Sequence, residues 1–306
     1  MHTAFVTINK VPTKVTTWGK WVEESFDSEK EKDLIICIPG NPGFTQFYYR
    51  FLETLHQQLG WPIWIVSHAG HERPENENLY NIPNIKENKD LYNLSGQIKH
   101  KMEFFEKMVP GDVRLHLIGH SVGTYIITEL MKNPSISSRV VKNYMLFPTL
   151  EDIALTPNGR FYTSIVHHIV PIILFLTCIF QMLPIFLQHF LVGIYTWVVG
   201  AEDFQIPNIC NLIHPRVLHK IFFMASDEMV TLKERNTDVI KQHIKKYKFY
   251  FGGNDNWAPV SYCKKLQDDI PDVDAEVCKM RFPHAFVLTS SIPAAVMVAQ
   301  WMRQKN

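Results

Sequence analysis

The residues best placed to do chemistry are Gly119-His120-Ser121-Val122-Gly123. A serine framed by glycines at this spacing suits a nucleophile at the apex of a sharp strand-to-helix turn, where flanking side chains would meet the crossing backbone. Such a pentapeptide is common by itself, and its setting is what informs. Leu115-His116-Leu117-Ile118 ahead of it is an apolar run of strand length, and Thr124–Met131 behind it reads as helix. The plain alternative is a turn in which Ser121 only caps that helix.

A serine hydroxyl is a weak nucleophile, so it needs a base, and the base needs an orienting acid. Around an elbow of this kind the acid and then the histidine follow the serine in the chain. Lys248-Phe249-Tyr250-Phe251 is an apolar strand that runs through Gly252-Gly253 to Asp255, ahead of a proline that can open a helix. Asp203 and Asp227 are rival acids, but neither follows so clear a strand. The base is expected after the next strand, where Glu276–Phe282 leads to Pro283-His284. With 14 histidines in the chain, position and not residue type selects His284. His120 must point away from the Ser121 hydroxyl and is read as structural; His167, His168, His189 and His243 are ordinary surface or lid residues. Acyl transfer also needs oxyanion donors. Val122 N–H, just after the nucleophile, is one. The loop Gly40-Asn41-Pro42-Gly43 should supply the other; Pro42 has no N–H, so Asn41 is the expected donor.

Other chemistries find little support. No phosphate-binding Gly-x-x-x-x-Gly-Lys-Ser/Thr or strand-linked Gly-x-Gly-x-x-Gly occurs, and His68-Ala69-Gly70-His71 lacks a nearby third ligand, so neither cofactor nor metal is expected. A net charge of +1 gives no global field to attract nucleic acid. The five cysteines are odd in number and scattered, which argues against a disulfide framework and fits a reducing compartment. Met1–Lys10 has no signal-peptide core, so the catalytic half is expected to face the cytosol.

These residues need a scaffold, and 306 residues suffice for one large α/β domain with an insertion. Ala4–Ile8 and Lys14–Val22, separated by Pro12, read as an antiparallel edge hairpin, and Ser28–Asp33 as a charged turn. Leu34–Ile38, Trp61–Ser67, Val113–Ile118, Val140–Phe147, Tyr247–Phe251 and Ala275–Phe282 read as buried strands. Between and after them, Phe44–Gly60, Leu94–Met108, Ser121–Lys132, Pro259–Ile270 and Ile292–Gln304 read as helices. Glu72–Asp90 reads as a long surface loop. The alternation predicts a mostly parallel twisted sheet with helices on both faces, its first part at 1–149 and its second at 239–306, interrupted by an apolar helical insertion at 150–238.

That insertion is the greasiest part of the chain. From Ile169 to Leu187, and again from Phe190 to Val199, it carries no Asp, Glu, Lys or Arg. Pro184 divides it into arms of about 15 residues, or about 22 Å of helix, short of a bilayer span of about 30 Å. The first reading is a hairpin that dips into one leaflet or a lipid monolayer through residues such as Ile169, Phe175, Phe180, Pro184 and Phe186. The second is a lid over a greasy pocket. A true span ranks last, because it would part strands that must meet on one side. Tyr195 and Trp197 suit an interfacial belt, though core packing accounts for them equally.

With Ile38-Pro39-Gly40-Asn41-Pro42-Gly43, Ser67-His68-Ala69-Gly70-His71, the elbow, Phe249–Pro259 and Pro283-His284-Ala285-Phe286 assembled, the chain resembles the lipid droplet-associated hydrolase family within the α/β-hydrolases, from about residue 33 to 288. The resemblance implies an α/β-hydrolase fold and a serine hydrolase acting on neutral lipid, with sterol esters the proposed substrate and a triad of Ser121, Asp255 and His284. It also implies residence at lipid droplets and the endoplasmic reticulum, with the apolar segment as anchor. Two other readings use the same residues: a lipid-droplet binding or tethering protein with vestigial chemistry, and an acyltransferase that passes the acyl group to a lipid alcohol.

Overall fold

The computed structural model describes residues 1–26 and 32–304, so the charged turn expected at Ser28–Asp33 lies largely outside the described residues. Among the described residues eight strands form one sheet: β1 (His2–Ile8), β2 (Val11–Trp18), β3 (Asp33–Ile38), β4 (Ile63–Val66), β5 (Arg114–His120), β6 (Val140–Leu146), β7 (Tyr247–Phe251) and β8 (Ala275–Val277), in the order β1-β2-β4-β3-β5-β6-β7-β8. From β4 to β8 every pairing is parallel, and only β1–β2 and β2–β4 are antiparallel. Both faces are covered. Along β3, Leu34, Ile36 and Ile38 enter one core while Ile35 and Cys37 enter the other, as the two-residue period of a strand requires. Helices α1 (Tyr49–Leu59), α2 (Leu94–Met108) and α3 (Val122–Leu130) fall between the strands of the first half.

The expected elements are present with three corrections. Pro12 does not separate the edge strands but lies within β2, opposite Thr7. The turn is Asn9-Lys10, both at positive φ, and Pro12 is tolerated because β4 pairs with β2 only from Val15 to Trp18. The last strand stops at Val277 and not Phe282: β7 gives way to Gly252-Gly253, and Arg281 turns the chain at a φ of 55°. Glu72, placed in a surface loop, is buried at 6% exposure, paired with Lys14 at 2.8 Å and accepting Thr45 N–H at 2.6 Å.

The insertion leaves the sheet after β6. A continuous helix, α4 (Pro157–Met182), comes first, with one π-wound stretch at Tyr162–Val166 and Pro171 inside it. At 26 residues it is long and apolar enough to cross a membrane by length and composition, about 39 Å against about 30 Å of hydrocarbon, so the first arm is longer than the division at Pro184 implied. Pro184 then separates it from α5 (Ile185–Val199), followed by α6 (Ile206–Leu212) and α7 (Pro215–Thr231), which packs against α4. The second half of the sheet carries α8 (Val260–Asp269) and α9 (Ser291–Arg303), the latter beside α1.

In α4 and α5, which pack against α7 and α6 respectively, the usual arrangement is inverted. Thr177, Gln188 and Thr196 are buried against the protein, and Ile169, Phe175 and Phe186 face outward at 39, 65 and 72% exposure. Phe180 is half-buried against the core that contains Val192, and Pro184 is exposed. Trp197, 83% exposed, and Tyr195, 50% exposed, are not core residues.

Candidate active site

β5 ends at His120, and Ser121 takes φ 53° and ψ −126°, a conformation that L-residues rarely adopt, before α3 begins at Val122. The flanking glycines make the turn possible. A Cβ on Gly119 would stand 3.0 Å from Thr124 N, and one on Gly123 only 2.2 Å from the Ile38 carbonyl oxygen. Because that second neighbour is backbone, Gly123→Ala is expected to cost about 3 kcal/mol or more of folding stability. An unchanged urea midpoint would show that α3 can move away from β3.

The three residues expected to act together meet across the strand ends. His284 Nε2 lies 2.9 Å from Ser121 Oγ, and His284 Nδ1 lies 2.6 Å from Asp255 Oδ2. The other Asp255 oxygen accepts from Trp257 N–H at 2.8 Å and Ala258 N–H at 3.1 Å. Burial alone would discourage ionisation of Asp255. The hydrogen bond and charge of His284, with the two backbone N–H groups, outweigh it and hold the carboxyl below its ordinary range. The rival Asp227 instead accepts Leu94 N–H at the start of α2, and Asp203 opens a short turn after α5. His284 sits on the loop beyond β8, with its ring edge-on to Phe147 at 6.0 Å and tilted against Trp257 at 6.5 Å, and Phe147 in turn stacks on Phe286 at 5.4 Å.

The loop after β3 passes directly over the serine, since a Cβ on Gly40 would fall 2.9 Å from Ser121 Cβ. Its backbone donors can be accounted for in turn. Gly40 N–H donates to Tyr48 Oη at 2.8 Å, Gly43 N–H donates to His71 Nδ1 at 2.9 Å, and Pro42, joined to Asn41 by a cis peptide bond, has none. Asn41 is the loop residue left to donate. Val122, opening α3, presents an N–H with no intrahelical acceptor. The Asn41 side chain turns the other way, toward α7, and donates to Glu228 Oε1 at 2.8 Å and Ile221 O at 3.2 Å.

His120 is neutral and has one tautomer. Its Nε2 stands 2.8 Å from the His284 carbonyl, which can only accept, so that nitrogen carries the hydrogen. Its Nδ1 must then accept from Tyr48 Oη at 2.6 Å. Burial, then the nearby His284, pushes its pKa down to about 3. Gly40, Tyr48, His120 and His284 thus form one hydrogen-bonded line from the loop over the serine to the backbone of the histidine beside it. Neither ring nitrogen of His120 goes to Ser121.

The Ser67–His71 segment props the same loop from behind. His68 N–H donates to Gly43 O at 3.2 Å, and a Cβ on Gly43 would strike the His68 ring at 2.4 Å. His71 must be neutral to accept from Gly43, and burial, followed by the charges of Lys101 and Lys220, lowers its pKa to about 3. His100 is likewise held neutral. Its Nε2 donates to Thr13 Oγ1 at 2.6 Å, since that hydroxyl gives its own hydrogen to Val11 O, and buried Lys101 stands 3.1 Å from its Nδ1.

Tyr48, Phe147 and Glu228 were not singled out in the sequence. Glu228 alone leaves a trace: it falls at helical spacing after Val217, Ile221 and Met224, on the face of α7 that also buries Lys220 and Met229.

The family described as lipid-droplet associated hydrolase matches residues 31–287. A Drosophila melanogaster protein named lipid droplet-associated hydrolase is 39% identical over 306 residues, covering 99% of each chain. The Homo sapiens protein of that name is 32% identical over 318 residues, covering 99% of this chain and 95% of its own. Among solved structures, a meta-cleavage product hydrolase superposes with a TM-score of 0.63 at 15% identity, covering 99% of this chain and 98% of its own. A deformylase from Pseudomonas putida gives 0.63 at 12% identity, covering 96% and 100%. At that identity the likeness concerns the fold, which is that of the α/β-hydrolases.

Proposed function

Because this chain belongs to the lipid droplet-associated hydrolase family, we propose that it is a serine esterase that deacylates a neutral lipid ester, a sterol ester being the substrate class put forward, at the cytosolic surface of lipid droplets and the endoplasmic reticulum. One observation carries the reading: a continuous hydrogen-bonded line from Asp255 through His284 to Ser121, drawn at 2.6 and 2.9 Å, with the serine on a strained elbow beneath a donor loop.

In the first half-reaction His284 Nε2 takes the proton from Ser121 Oγ as the oxygen attacks the ester carbonyl. Asp255 keeps the ring in the tautomer that leaves Nε2 free and then stabilises the imidazolium. The N–H groups of Val122 and Asn41 hold the oxyanion. Collapse of the tetrahedral intermediate expels the lipid alcohol, which leaves with the proton from His284. Water attacks the acyl-enzyme in the reverse sense, its proton passing through His284 back to Ser121 as the fatty acid departs. No metal or cofactor takes part in this scheme.

The test is reaction of the purified chain with a fluorophosphonate probe, the adduct being located by peptide mass spectrometry. One adduct, on Ser121, is expected. A well-folded protein that takes up no probe would overturn the esterase and favour a lipid-binding or tethering role on the same fold.

Helices α4 and α5 support attachment to lipid. Their outward apolar side chains would leave water for the acyl region of a monolayer, which has no far side to cross. Phe175→Asp together with Phe186→Asp is expected to lower partition onto phospholipid-coated triolein emulsions by at least about 100-fold, each carboxylate costing about 2.5–3.5 kcal/mol in hydrocarbon. Since both rings are exposed, the melting temperature in solution should hardly move. Undiminished flotation of the variant would put the contact elsewhere.

A further inference from the structure

Asn41 belongs to the site through its backbone and to the insertion through its side chain. Both hydrogens of its carboxamide are spent on α7, one on the Ile221 carbonyl at 3.2 Å and one on Glu228 Oε1 at 2.8 Å. Glu228 is 4% exposed and forms no ion pair among the described residues. On the buried face of this helix, which also carries Val217, Lys220, Ile221, Met224 and Met229, a carboxyl group is costly unless it holds something. The Asn41 carboxamide is what it holds. Side chain and peptide N–H share one Cα, so pinning the carboxamide at two points fixes the orientation of the adjoining peptide.

We propose that Glu228 is a positioning residue, which sets the direction of the Asn41 N–H by clamping its side chain, so that the last long helix of the apolar insertion completes a site otherwise built by the sheet. The proposal rests on the esterase reading for its catalytic consequence. Burial raises the Glu228 carboxyl to about 8, the Asn41 hydrogen bond working against that rise and Asp227 adding to it. Near neutral pH the group is therefore an uncharged acceptor, which a glutamine carbonyl can replace. The clamp also places the loop on an element that packs against α4, the helix whose apolar side faces outward.

The full-length chain and two variants, Glu228→Gln and Glu228→Met, decide the matter. Met has the length of Glu and no acceptor. Two measurements are made on each: hydrogen exchange of the 39–47 backbone, and steady-state hydrolysis of a soluble p-nitrophenyl butyrate. Glu228→Met is expected to speed exchange in that segment by about tenfold and to lower kcat by about 10- to 100-fold, as small misplacements of a catalytic donor do, with KM within about threefold. Glu228→Gln should stay within about threefold of the wild type in both measurements. The proposal is overturned if Glu228→Met matches the wild type, or if Glu228→Gln falls as far as Glu228→Met. Should Glu228→Met fail to fold, Asn41→Ser cuts the same bond from the loop side while keeping the peptide N–H, and wild-type exchange and kcat in it overturn the proposal equally. A wild type that neither turns over nor takes a fluorophosphonate removes the esterase reading, while the exchange measurement still decides the clamp.

Discussion

Ser121→Ala is expected to lower kcat/KM for ester hydrolysis by about 10⁴- to 10⁶-fold, the range seen when a triad nucleophile is removed. The size follows from the geometry. Ser121 Oγ lies 2.9 Å from His284 Nε2, and the elbow's backbone directs it there without help from any side-chain cap. What survives is the hold of the Val122 and Asn41 donors on the oxyanion that forms when water attacks the ester directly, so the residual rate should be insensitive to a second change at His284. Asp255→Asn is expected to cost about 10⁴-fold through a different route. An amide there can present N–H to His284 Nδ1, which turns the ring's hydrogen to Nε2, where it can no longer accept from Ser121. A double variant no worse than Ser121→Ala alone would show the residues acting as a unit. Additive losses would argue that they do not.

Acidification is expected to unfold this protein early. His68, His71, His100 and His120 are each at most 6% exposed, and burial lowers all four, the last of them and His71 to about 3. Their unfolded values lie near 6.5, so the unfolded chain takes up these protons first. The stability they contribute is complete above about pH 6.5 and is lost as pH falls toward their folded values. Glu228 opposes them. Its folded value is raised to about 8, so its contribution grows as pH falls from 8 toward its ordinary carboxylate range. Four histidines outweigh one carboxyl, so the balance between pH 7 and 5 is a net loss of stability. Thermal unfolding followed at half-unit intervals should show a steep fall in Tm below pH 6.5. A flat profile down to pH 5 would mean that the imidazoles are charged or accessible in the folded state, and His71 could not then accept from Gly43.

Why the meeting of Ser121, Asp255 and His284 was legible and its surroundings were not has a physical explanation. Ser121 and Asp255 each follow a strand whose apolar run is visible by itself, His284 follows the alternating Ala275–Phe282, and a parallel sheet brings successive strand ends to one edge without further instruction. That edge is where the three side chains meet. Prediction strayed where local pattern and tertiary setting part. Cys278–Phe282 has the composition of a strand, yet β7 has already ended and offers no ladder to join. Tyr48 reads as one more aromatic on an amphipathic segment, and only the approach of Gly40 and His120 from other elements gives its hydroxyl a purpose. Asn41 was expected for its N–H, which nothing in the sequence ties to α7, 187 positions along the chain from Asn41 to Glu228. The reach of α4 exceeds what the apolar run shows because the helix begins before that run, at Pro157, where Thr156 caps it.

The position of the insertion has a consequence for biosynthesis. β6 ends at Leu146 and its parallel neighbour β7 begins at Tyr247, so about 100 residues emerge between two strands that must lie side by side. Closing such a loop costs about 4 kcal/mol of chain entropy before any contact compensates it. At about 5–20 residues per second, α5 leaves the ribosome several seconds before β7, and Asp255 and His284 follow later still. The nascent chain therefore presents its greasy arm while it holds a serine with neither acid nor base. A lipid surface within reach during those seconds would seat the apolar arm first, and the sheet would be completed on that surface and not delivered there whole.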